Sequence, residues 1–132
     1  MDRVCYFEVP YSDKERMEKF YSGVFGWQFM KAPGEMPYSF AITTEMDESM
    51  QIKEPGGING GTYPRCDQEG NVSSKSPVIV IEVESCEQRM KEIEAAGGVN
   101  LIGPHQVGDM GIYAQVKDTE DNIIGLWQPL KG

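Results

Sequence analysis

Histidine, basic residues and paired cysteines are all scarce in this chain, and each scarcity removes a class of function. Twelve lysines and arginines face 21 acids, for a net charge of −9 over 132 residues. A surface of that sign repels phosphate backbones and anionic lipid heads, so neither nucleic acid nor membrane is an expected partner. The three cysteines, Cys5, Cys66 and Cys86, form no C-x-x-C pair, and an odd, scattered set makes a poor disulfide framework. Cys5 and Cys86 read as ordinary residues on or near a core face. Apolar runs such as residues 77–81 are only strand length, and no basic segment leads into a hydrophobic stretch near Met1, so a cytoplasmic location is expected. There is no Walker-type phosphate loop, dinucleotide fingerprint, nucleophile elbow or zinc spacing. The glycine-rich run at 56–61 lacks the Lys-Ser/Thr and the helix that a phosphate loop requires. The single histidine, His105, falls in a Gly-Pro-His-Gln-Val loop before a strand, where exposure to solvent is the expectation.

What the chain does have is one pattern written twice. Residues 4–9 alternate and are rich in strand formers; Pro10 stops them, and Ser12 with Glu15 makes a capping box. Met17, Phe20, Tyr21, Val24 and Phe25 recur at the spacing of one helix face, Lys14, Glu15, Glu18 and Lys19 take the other, and Gly26 ends the helix. Residues 27–30, 39–44 and 58–63 then read as strands. The second half repeats this order: a strand at 78–83, a capping box at Ser85 and Gln88, and a helix burying Met90, Ile93 and Ala96 before Gly97-Gly98. Strands follow at 99–102, 111–116 and 123–128, the last two joined by a polar hairpin turn at 117–122. The expectation is a single α+β domain of two β-α-β-β-β modules: module one at about 1–65, a polar linker at 66–76, and module two at 77–132. A second polar stretch, 45–57, is expected to be exposed and mobile, flanking a pocket mouth.

The run Phe7-Glu8-Val9-Pro10, then Asp13-Lys14-Glu15-Arg16, then Phe20-Tyr21-Ser22-Gly23-Val24-Phe25-Gly26-Trp27 resembles the opening of the glyoxalase/bleomycin-resistance/extradiol-dioxygenase (vicinal oxygen chelate) superfamily. The tail, Asp118-Thr119-Glu120-Asp121-Asn122-Ile123-Ile124-Gly125-Leu126-Trp127-Gln128, resembles the ending of its small single-domain branch related to lactoylglutathione lyases, as does Gly57-Ile58-Asn59-Gly60-Gly61 with Pro64-Arg65. The resemblance implies curved sheets around a cavity for a small organic molecule, commonly completed in a homodimer. It also implies a divalent metal, held by the first and last strand of each module. Counting along the chain places those positions at Tyr6, Val78, Gly125 and somewhere within 58–61, none of which carries a histidine or carboxylate. An unperturbed phenol titrates near about 10 and is a weak ligand at neutral pH, so no metal and no cofactor is expected.

Without the metal, strand alternation puts Glu8 beside Tyr6 and sends Cys5, Phe7 and Val9 to the helix side. Glu8 is a candidate general base with Tyr6 as proton donor; the competing reading pairs Glu8 with a base such as Arg65 or leaves it at a wet dimer seam. Asn59, Tyr63 and Arg65 follow a glycine cluster and are candidate ligand-binding residues, with Arg65 clamping a carboxylate or, alternatively, tethering the linker. Tyr113, Gln115 and Trp127 alternate on strands, and Trp127 shares parity with Gly125; they line an aromatic pocket or simply fill the core. Two functions are therefore carried forward: a metal-independent isomerase or lyase, and a non-catalytic protein that binds or sequesters a small molecule. A third is an accessory domain whose sheets serve as a protein interface.

Overall fold

The computed structural model describes residues 1–66 and 74–130. The chain forms two compact units, Tyr6–Pro77 and Met1–Cys5 with Val78–Gly132. Most of the expected linker, 67–73, lies outside the described residues.

The first unit holds β1 (Arg3–Tyr11, from Tyr6 onward), α1 (Lys14–Phe25), β2 (Gln28–Lys31), β3 (Ser39–Ile42) and β4 (Gly60–Pro64). Its strands lie in the order β2-β3-β4-β1, with β1 parallel to β4 and the other pairs antiparallel. The second holds β5 (Val78–Glu82), α2 (Cys86–Ala95), β6 (Val99–Val107), β7 (Gly111–Lys117) and β8 (Ile123–Pro129), and repeats that arrangement as β6-β7-β8-β5 with β5 parallel to β8. This is the α+β architecture of two β-α-β-β-β modules, the glyoxalase/bleomycin-resistance fold.

Several boundaries differ from the sequence reading. Pro10 does not stop β1, which runs on to Tyr11 with Pro10 opposite Tyr63; a proline is compatible with a strand wherever no N–H is needed from it. The cap of α1 is Asp13, whose carboxylate accepts from the Arg16 amide at 3.0 Å, so the expected box is displaced by one residue. Ser12 instead accepts from Arg65 Nη1. Gly26 ends the helix in the left-handed region at φ 76°, as the pattern predicts. The five-residue apolar stripe is wider than the buried side: α1 turns Met17, Glu18 and Tyr21 inward and leaves Phe20, Val24 and Phe25 more than half exposed. Trp27 precedes β2 and stacks on Tyr21 with ring centroids 4.6 Å apart, while Phe7 lies 5.4 Å away on the same side.

In the second unit, Ser85 caps α2 through the Gln88 amide as expected, and Gly98 N–H bonds back to Ile93. The helix buries Cys86 and Met90 with Val83, Ala114, Val116 and Leu126. Ala96 is exposed at the cap, and Cys86, one position past Ser85, takes the place expected of it. His105 is not in a loop: β6 extends through it to Val107, opposite Tyr113, because two register shifts absorb the Gly103–Pro104 segment within the strand. It is exposed nonetheless. The 45–57 stretch is mostly exposed and folds back on itself through a Met46–Ile52 bridge and an Asp47 carboxylate that accepts from Ser49 and Gln51.

Candidate functional site

In the first module, alternation along β1 sends Phe7 toward Trp27 on the helix side and Tyr6 and Glu8 to the opposite face. There the two meet a residue that the sequence reading did not single out. Tyr38 sits one position before β3, and its hydroxyl is 2.9 Å from Glu8 Oε2 and 3.0 Å from the Tyr6 hydroxyl. It shares parity with Phe40, two residues on, which was the available signal; the turn-forming residues at 31–37 masked it.

Two features hold Tyr38 in this position. Glu8 and Phe40 are both in register with Gly61, and a Cβ built on Gly61 would collide with the Tyr38 hydroxyl. Only glycine leaves room for the phenol above the sheet. Glu8 is just 5% exposed, so ionising it would place a charge out of water that relies on partners such as this one. Burial first, then the neighbouring Glu8 and Tyr6, pushes the Tyr38 phenol well above the ordinary tyrosine range, so it stays protonated.

Asn59, Tyr63 and Arg65 do not join this cluster as a set. Asn59 Oδ1 accepts from the Thr43 and Thr44 amides at 2.8 and 3.0 Å, holding the approach to β3, while its buried Nδ2 has no hydrogen-bond partner among the described residues. Arg65 Nη1 donates to Ser12 and Nη2 to the Lys75 carbonyl, contacts that tie the two ends of this segment together. Tyr63 is two residues from Gly61 and shares its side of β4.

The second module builds a related but neutral arrangement. Gln115 is in register with Gly125, and its Nε2 donates to the Tyr113 hydroxyl at 2.9 Å. A Cβ on Gly125 would lie 3.2 Å from that hydroxyl and 3.0 Å from Val80. Tyr113 thus stands over Gly125 as Tyr38 stands over Gly61. Where the first module carries Glu8 opposite its glycine, the second carries Val80, and Val78 stands in the place of Tyr6. Trp127 is opposite Tyr113 and covers Gly111, on the same face.

The metal positions implied by the resemblance do not suit a divalent ion. Val78 is apolar and 1% exposed, Gly125 has no side chain, Tyr6 is engaged with Tyr38, and among the described residues no three of His, Cys, Asp and Glu gather in a group that could hold one. Within the second module a pocket of about 230 Å³ opens beside the start of α2, lined by Ser85, Glu87, His105 and Gln128 among others. Gln128 Oε1 accepts from the Cys86 amide there. No helix among the described residues is long and apolar enough to cross a membrane.

No protein-family model matches the sequence, and no curated protein matches it significantly. Solved structures do. A variant of Streptomyces coelicolor methylmalonyl-CoA epimerase in complex with 2-nitronate-propionyl-CoA is similar over 98% of this chain and 98% of its own, with a TM-score of 0.66 and 10% identity. A hypothetical protein from Bacillus halodurans C-125 is similar over 99% of this chain and 96% of its own (TM-score 0.64, 13% identity). A structure described as an NAD-dependent benzaldehyde dehydrogenase from Legionella pneumophila is similar over 95% and 98% (TM-score 0.59, 12% identity). An epimerase and a dehydrogenase share the arrangement, so these likenesses show the fold and select no activity.

Proposed function

We propose that the protein is a small-molecule isomerase that moves a proton next to a carbonyl group, with Glu8 as its source of basicity. The observation that carries this reading is the buried Glu8 carboxylate joined through Tyr38 to Tyr6, a carboxylate and two phenols on one sheet face. Carboxylates in such surroundings serve as general bases. The fold shared with methylmalonyl-CoA epimerases is compatible with this reaction class without selecting it. Since the implied metal positions hold no suitable donors, the polarisation of the substrate falls to hydrogen-bond donors of the protein. A homodimer in the cytoplasm belongs to this reading, and sedimentation analysis tests the first part of it.

The test is proton exchange in D2O, followed by NMR of the carbon next to the carbonyl. Acyl-CoA thioesters are the first substrates to try, and the glutathione thioesters and hemithioacetals of lactoylglutathione-lyase chemistry the second. Wild-type protein should exchange the proton and Glu8→Gln should lose about 10²–10⁴-fold in rate while melting as the wild type does. Binding without exchange would instead establish a sequestering protein, and equal exchange by Glu8→Gln would remove Glu8 from the chemistry.

A further inference from the structure

We propose that Tyr6 is the residue that meets the substrate, and that Glu8 takes the proton from it through Tyr38. This rests on the isomerase reading and supplies its route. Glu8 is 5% exposed whereas Tyr6 is only half-buried, so the strongest base of the cluster lies behind its phenols. When Glu8 is ionised, hydrogen-bond chemistry gives these two contacts one direction. An ionised carboxylate accepts only, and a phenol has one proton. The Tyr38 proton therefore goes to Glu8 Oε2 at 2.9 Å, which leaves the Tyr38 oxygen to accept the Tyr6 proton across 3.0 Å. The row points from Tyr6 toward Glu8.

Substrate deprotonation runs down that row. A C–H bond next to the carbonyl breaks, its electron pair stays on the substrate as an enolate, and the proton bonds to the Tyr6 oxygen. The former Tyr6 proton moves to Tyr38, and the former Tyr38 proton moves to Glu8, which becomes a neutral carboxylic acid. Neither phenol ends as an anion, and reversal returns a proton to the substrate. No oxidant, reductant or leaving group takes part. Tyr6 is the catalytic residue; Tyr38 and Glu8 act through it.

Two measurements separate the route from the function. In exchange assays, Tyr6→Phe, Tyr38→Phe and Glu8→Gln should each lose about 10²–10⁴-fold, and the double variants should lose no more, as for residues that work as a unit. Direct contact of Glu8 with substrate would leave Tyr38→Phe near the wild-type rate and would overturn the route alone. Independently of any substrate, the Tyr6 ring is followed by NMR of ¹³Cζ-labelled tyrosine during pH titration. Glu8→Gln should shift the Tyr6 ionisation more in the wild-type background than in Tyr38→Phe, where only the through-space effect of the carboxylate remains. A Tyr6 titration blind to the loss of the Tyr38 hydroxyl would refute the row even if no substrate were found.

Discussion

Replacing Gly61 by alanine should displace one phenol ring and little else, which makes it a sharp probe of the cluster. Gly61 is absent from the positive-φ glycines, so its backbone accepts alanine without strain. The added methyl falls on the Tyr38 phenol, which must swing away from Glu8 and Tyr6. Losing a hydrogen bond to a buried charged group costs about 1.5–3 kcal/mol. Alanine in place of glycine within a strand offsets about 0.5–1 kcal/mol. Gly61→Ala should therefore destabilise by a net of about 1–2 kcal/mol. With Tyr38→Ala already present the collision is gone, and the same change should stabilise by about 0.5–1 kcal/mol. The difference, about 1.5–3 kcal/mol, is the coupling between the two sites. Urea unfolding of the four proteins measures it, provided the slopes stay equal. An identical cost in both backgrounds would mean that Tyr38 does not stand over Gly61.

Other consequences are simpler to test. Asp13→Ala should lower stability by about 1 kcal/mol through loss of the α1 cap, and Ser12→Ala by clearly less; thermal melts that rank them the other way would restore the cap to Ser12. Of the thiols, exposed Cys66 should react with an aromatic disulfide reagent in the native protein. Cys86, buried, and Cys5, half-buried, should wait for unfolding, because burial pushes both thiols upward and keeps them protonated at neutral pH. The Asp118 carboxyl is held below its ordinary 3.8 by the Asn122 side chain and by the Asn122 and Glu120 amides. Its contribution is present above that value and is lost as pH falls through its folded pKa, so Asp118→Asn should lower stability at pH 7, converge with the wild type in acid and flatten the acid limb of a stability-against-pH curve.

Much of the architecture was legible because period and punctuation agreed. The alternation of β1 correctly separated Phe7 from Tyr6 and Glu8, and Gly26 and Ser85 marked helix ends through backbone geometry and capping that act within a few residues. Errors arose where two local signals competed. Ser12 and Asp13 are adjacent and either can cap; Pro10 read as a stop and the segment around Pro104 as a loop, yet each proline sits in a strand. The site was half legible. Tyr6 came from counting to the first-strand position that the resemblance implies and Glu8 from alternation beside it, but Tyr38 reaches them only because β3 pairs with β4 and β4 with β1, a sequence separation of 30 residues that no local pattern spans.

The tyrosine that stands over a glycine in both halves separates scaffold from reactivity. Tyr38 over Gly61 and Tyr113 over Gly125 are the same mechanical solution, yet only one half sets an acid and a phenol against it; the other has valines at those two positions. A duplicated unit of this kind can change its chemistry at two alternate residues of a single strand while every register, turn and helix cap stays as it was. The two valines mark where a designer would begin, by writing the missing phenol and carboxylate into a half that already holds their tyrosine.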